Sequence, residues 1–141
     1  MKYYNSVWKV AMYIRISNND GNNESESVAN QREIIKKHID SFDDGDYIIV
    51  DEYIDDGISG TTDEKRTAFQ RMLKDIQAGL INCVIVKDLA RSFRNYSDQG
   101  YYLDEWFPRH NVRFISLYHQ SLDTLKDNYN IRNIMIPIQG I

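Results

Sequence analysis

Residues 82–87 read NCVIVK, a nearly continuous apolar run of the kind that forms a strand covered on both faces. Such strands belong to parallel sheets flanked by helices, and the neighbouring segments read as helices. Upstream, Phe69, Met72, Leu73 and Ile76 recur at helical spacing within residues 64–78, and Gly79 stands where a helix C-cap glycine is expected. Downstream, residues 97–108 carry Tyr101, Tyr102, Leu103, Trp106 and Phe107 at mixed spacing and predict a third helix. A fourth strand follows at residues 112–117, VRFISL.

The first half of the chain repeats the alternation. Residues 7–16, VWKVAMYIRI, predict a first, central strand whose polar end carries Arg15 and Ser17. Residues 18–26, NNDGNNESE, read as a loop. Ser27 then stands as the N-cap of a helix through about Ser41, with Val28, Ile34, Ile35 and Ile39 available for one apolar stripe. Residues 47–53, YIIVDEY, predict a second strand, and residues 55–63, DDGISGTTD, a loop dense in turn formers. Strands alternating with helices imply βαβ units. The expected fold class is α/β, a three-layer domain with a mostly parallel central sheet of four to five strands and helices on both faces, spanning residues 1–141 as one unit.

Composition narrows the function without naming it. A chain of 141 residues, 42% hydrophobic and 27% charged, suits a single core. No apolar run approaches the roughly 20 residues of a membrane span, and the N-terminal residues lack a secretory pattern; a cytoplasmic location is expected. Cys83, the one cysteine, sits in the apolar run of the buried strand and reads as a small hydrophobe. His38, His110 and His119 are scattered, so no Cys/His metal site is expected. A net charge of −4 argues against holding nucleic acid mainly by neutralising phosphates, unless the basic residues are concentrated at one place.

Such a concentration is expected at the carboxyl ends of the strands, where open parallel sheets bind ligands. Alternation points Tyr13, Arg15 and Ser17 to one face. The following loop holds Asp56, Ser59, Gly60 and then Arg66. Residues 87–94 carry Lys87, Asp88, Arg91 and Arg94, and the two arginines share a face if a helix begins there. A serine hydroxyl needs activation and a stabilised transition state, and arginine forks supply the latter to phosphates. Each feature alone has a plainer reading: Ser17 as a turn residue, Arg91 and Arg94 as solvated charges, Asp55 and Asp56 as a turn, the 101–107 aromatics as core. A Mg²⁺-dependent phosphohydrolase or nuclease built on Asp55, Asp56 and Asp88 is one alternative. A non-catalytic phosphate-binding domain on a flavodoxin-like fold is another.

Together these segments resemble the N-terminal catalytic domain of the serine site-specific recombinases, the family of resolvases, invertases, large serine integrases and transposases. The resemblance runs from Trp8 to Leu117 and rests on YIRIS at 13–17, SVANQ at 27–31, DDGISG at 55–60 followed by Arg66, and VKDLARSFRN at 86–95. It implies that Ser17 is the nucleophile and that Arg15, Arg66, Arg91 and Arg94 bind the scissile phosphate. It further implies that Tyr13, Gln31, Asp56 and Ser59 support the pocket. The implied reaction is cleavage of double-stranded DNA through a 5′-phosphoserine intermediate and religation to a new partner, with no cofactor and no metal. The implied assembly of the full-length protein is a dimer on each site and a tetramer in the synapse. Ala90 stands where small resolvases carry an acid, a pattern closer to the large serine recombinases, and leaves Asp56 and Asp88 as candidate general acids. The family's long oligomerisation helix is expected to be missing or only begun, leaving this piece monomeric and a weak DNA binder.

Overall fold

In the computed structural model the described residues are 6–17, 27–57, 66–118 and 121–127; the side chains of Ser17 and Arg91, and all of Ser59, lie outside them. The chain runs β1 (Val7–Ser17), α1 (Val28–Ser41), β2 (Asp46–Gly57), α2 (Thr67–Gln77), β3 (Cys83–Asp88), α3 (Leu89–Ser92) and α4 (Tyr96–Tyr101). A π-helical turn (Tyr102–Trp106), α5 (Phe107–Arg109), β4 (Arg113–Tyr118) and β5 (Leu122–Asp123) follow. The strands form one sheet in the order β2-β1-β3-β4-β5, with β1 to β4 parallel and β5 antiparallel to β4. The order reverses beside β1, which makes its carboxyl end the switch point where such sheets open a crevice.

Alternation along β1 divides the core in two. Trp8, Val10, Met12 and Ile14 pack with Ile35 and Ile39 of α1 and with Cys83, Ile85 and Ile115. Ala11 and Tyr13 face the other way, onto Phe69, Met72 and Ile76 of α2 and onto Phe107 and Phe114. Helices therefore cover both faces, as the unbroken apolar β3 requires. Ser27 caps α1 by accepting from Asn30 N at 3.1 Å, and Gly79 closes α2 at φ 81°, a left-handed conformation that glycine adopts without strain.

The structure differs from the sequence reading in four places. β2 continues through Asp55 and Asp56 to Gly57, because parallel pairing with β1 persists to Ser17↔Gly57 and holds these turn formers extended. α2 starts at Thr67 rather than at residue 64, since Arg66 is left-handed (φ 49°) and cannot continue a helix backwards. In α1 the stripe is Gln31, Ile35 and Ile39 rather than one that includes Ile34. The third helical segment contains a π turn, in which Phe107 N bonds to Tyr102 O; this accounts for the mixed aromatic spacing, and Pro108, which has no N–H to give, follows directly.

At the amino ends of the strands, opposite the crevice, Arg113 is buried with its guanidinium 4.6 Å from the Trp8 ring. It donates to both Asp123 oxygens at 3.0 and 2.7 Å and to Tyr47 Oη at 2.9 Å. These bonds fasten β5, which no periodicity announces, to the sheet.

Candidate active site

Tyr13, two residues before Arg15 and four before Ser17, begins the site. Its buried hydroxyl donates to Asp55 Oδ2 at 2.6 Å. Burial pushes the phenol far above its ordinary range; the Arg66 charge opposes that rise and Asp55 adds to it, so Tyr13 remains a neutral donor. Asp55 is buried as well, and its carboxylate also accepts from Ala68 N at 2.8 Å and Phe69 N at 3.1 Å. These are orphan donors of the first turn of α2, whose own N-cap position, Arg66, makes no side-chain cap bond. A carboxylate from the neighbouring strand thus caps the helix, in the place the helix dipole favours for negative charge.

Arg66 stands at the centre. Its guanidinium lies 3.9 Å from the Phe69 ring centroid. Nε and Nη2 donate to Tyr13 Oη at 3.3 and 3.2 Å, Nη2 also to Ser92 O, and Nη1 to Asp98 Oδ2 at 3.0 Å. Four of its five N–H groups are thereby committed. One residue joins the end of β1, the start of α2 and the α3–α4 segment.

The remaining candidates are arranged around this centre. Arg15 and Ser17 end β1, in register with Asp55 and Gly57. Gln31, buried on α1, reaches Arg15 O at 3.5 Å. Asp56 is exposed, opposite Ile16. Lys87 is buried at the end of β3, and Asp88 caps α3 by accepting from Ala90 N at 3.0 Å. Helix α3 does begin there, but it ends at Ser92 and Phe93 is extended (φ −120°). Arg94 therefore leaves the helical face of Arg91; it is exposed and lines a cleft of about 220 Å³ with Phe93, Asn95, Tyr96 and Gln99.

Asp98 is a member of this arrangement that sequence reasoning did not enlist, and Asp55 entered that reasoning only as a turn residue or a Mg²⁺ ligand. Continuing the β2 alternation one step past Tyr53 would have turned Asp55 inward with it, since both are buried. Asp98 sits three residues after the α4 N-cap Asn95, whose Oδ1 accepts from Asp98 N at 2.8 Å; that spacing marks a first-turn acid but not its partner. With its oxygens taken by Tyr13 and two backbone amides, Asp55 has little left for a cation. Among the described residues no group of three His, Cys, Asp or Glu side chains is placed to hold a metal, and no helix is long and apolar enough to cross a membrane.

Residues 10–141 match the family model of the resolvase N-terminal domain. Among solved structures the chain is similar to the N-terminal catalytic domain of TP901-1 integrase, with 29% identity, a TM-score of 0.71 and coverage of 89% of this chain and 88% of that one. It is 32% identical to a resolvase family site-specific recombinase from Streptococcus pneumoniae, with a TM-score of 0.70 and coverage of 89% and 81%. The C-terminal catalytic domain of ISC1926 TnpA, an IS607-like serine recombinase, shares the fold at 15% identity, with a TM-score of 0.61 and coverage of 84% and 74%. No protein of curated function matches the sequence. With the family model covering nearly the whole chain, this chain belongs to the resolvase family of serine recombinases and is the catalytic domain of a DNA recombinase enzyme.

Proposed function

We propose that this domain exchanges DNA strands by transesterification at Ser17. The serine oxygen attacks the scissile phosphorus as its proton passes to a base. The bond to the 3′-oxygen breaks, that oxygen takes up a proton, and the 5′ end is left on the protein as a phosphoserine ester. One phosphoester replaces another, so a 3′-hydroxyl from a different duplex reverses the step without ATP. Arg15, Arg91 and Arg94 neutralise the non-bridging oxygens as charge builds on them. Asp56 and Asp88 are the candidates for proton transfer, and Gln31 steadies the backbone at Arg15. Ser59 belongs to the pocket in this reading. Two protomers act on each site and four in the synapse.

The observation that carries this reading is the pairing at the end of one strand. β1 holds Arg15 and Ser17 two residues apart, beside the Tyr13–Asp55–Arg66 framework. The test uses the full-length protein and a plasmid bearing its recombination site. A denaturant-resistant adduct on the 5′ end is expected, lost in Ser17→Ala with DNA affinity unchanged. Adduct persisting in Ser17→Ala overturns the assignment, and cleavage that stops in excess chelator favours a metal-dependent nuclease instead.

A further inference from the structure

Arg66 is too enclosed to meet a phosphate as an open fork. It is 4% exposed, and four of its five N–H groups are spent on Tyr13, Ser92 and Asp98. Among the described residues the one uncommitted hydrogen is on Nη1, the nitrogen that Asp98 grips. A guanidinium is planar and rigid, so fixing one Nη1 hydrogen fixes the direction of the other. Asp98 Oδ2 accepts from Arg66 Nη1 at 3.0 Å and from Arg94 N at 3.2 Å, so a single oxygen sets the spacing between these two arginines. Asp98 is itself tied by Asn95 Oδ1. The contact is nearly dry, with side chains 3% and 14% exposed, so water does not compete for the same geometry.

We infer that Asp98 is a positioning residue for strand transfer: it aims the free Nη1 hydrogen of Arg66 at the scissile phosphate and anchors the backbone from which the Arg94 guanidinium reaches it. The inference rests on the transesterification reading above. Because a carboxylate partly neutralises the arginine it holds, its contribution is direction rather than added positive charge.

The test compares adduct formation under single turnover by the full-length protein on two substrates, one with an ordinary scissile phosphate and one with a neutral methylphosphonate there. Asp98→Ala is expected to slow the ordinary substrate about tenfold or more, the scale of effect that misplacement produces. DNA affinity stays within about twofold, since the phosphate contacts that set it are retained. On the phosphonate, where less charge awaits the guanidinium, the loss should shrink to about threefold or less. Asp98→Asn keeps an acceptor of the same reach and should recover most of the rate. An equal loss on both substrates marks a merely structural residue and overturns the inference, as does an unaltered rate. Should Asp98→Ala lack the folded circular dichroism spectrum, Asp98→Asn carries the comparison, with a smaller loss that must again shrink on the phosphonate. A parent protein that forms no adduct overturns the transesterification reading itself, whereas a normal parent with an insensitive Asp98→Ala overturns only the positioning role.

Discussion

Removing the Asp55 carboxylate orphans three donors at once: Tyr13 Oη and the backbone amides of Ala68 and Phe69. Loss of a helix cap costs about 1 kcal/mol, and stranding a buried hydroxyl adds about 1–3 kcal/mol. Asp55→Ala is therefore expected to destabilise the domain by about 2–4 kcal/mol in urea unfolding. Tyr13→Phe leaves the cap intact but strands the Arg66 Nε hydrogen and one Nη2 contact in the interior, and should also cost about 1–3 kcal/mol. An unchanged stability in Tyr13→Phe would argue that this hydroxyl does not hold Arg66 and Asp55 together. At this scale the sequence was legible where chemistry is unusual and opaque where it is ordinary. Arg15 and Ser17 stand out only in combination with Arg66, Arg91 and Arg94, since Ser17 alone reads as a turn residue. Asp55 and Asp98 do not, because an aspartate in a run of turn formers or in a helix first turn has a plain local explanation, and its real partners lie 42 and 32 residues away.

Among the elements, β2 is the one whose extent the sequence concealed. Its apolar part ends near Ile54, and only pairing with β1 keeps residues 55–57 extended; propensity is a weak guide where a ladder decides. β2 is also an edge strand, interrupted by a bulge at Val50 between the Val10↔Ile49 and Ala11↔Asp51 pairs. The helices on both sides grip it. Arg32 of α1 meets Glu52 bidentately at 2.6 and 2.8 Å, and Arg71 of α2 meets Asp51 at 2.8 Å. Arg32 holds Glu52, and Arg71 holds Asp51, below the ordinary carboxylate range. Both pairs are largely exposed, so each contributes little to stability. A lowered folded-state pKa means that this stability is present above the unfolded carboxylate values and is lost as pH falls through the folded ones. Arg32→Gln and Arg71→Gln should each lower the unfolding free energy at pH 7, by an amount that shrinks as pH falls below the ordinary carboxylate range. A difference that does not shrink as the carboxylates become protonated would assign the effect to packing of the arginine stems.

For the molecule as a whole, the layered architecture was readable because β3 runs apolar from Cys83 to Val86 between helical patterns; β5 was not, since two residues held through Asp123 by Arg113 leave no periodic trace. Burial of this kind also explains the inertness expected of Cys83, whose thiol is pushed up to about 12 and is fully enclosed. It should react with a thiol reagent only as fast as the domain unfolds, and rapid labelling of native protein would contradict the core described here.

Charge governs the other whole-molecule property, affinity for DNA. The chain carries −4 overall, and Arg66, Arg32, Arg71 and Arg113 are already matched to carboxylates of the same domain. Arg15, Arg91 and Arg94 are the arginines proposed to meet the scissile phosphate with their whole guanidinium groups. Because all three converge on one phosphate, the slope of log Kobs against log salt should be no steeper than about −2.7, the value for three neutralised phosphates on duplex DNA. A protein consisting of residues 1–141 should accordingly bind duplexes weakly, with Kd above about 1 μM at physiological salt, where non-specific binding ordinarily lies. Fluorescence anisotropy across a salt series measures both quantities. Submicromolar affinity, or a slope about twice as steep, would mean that further basic residues reach the backbone and that Arg66 is not fully occupied by Asp98. In Asp98→Ala, where Arg66 regains its unmatched charge, the slope should steepen by no more than about one unit.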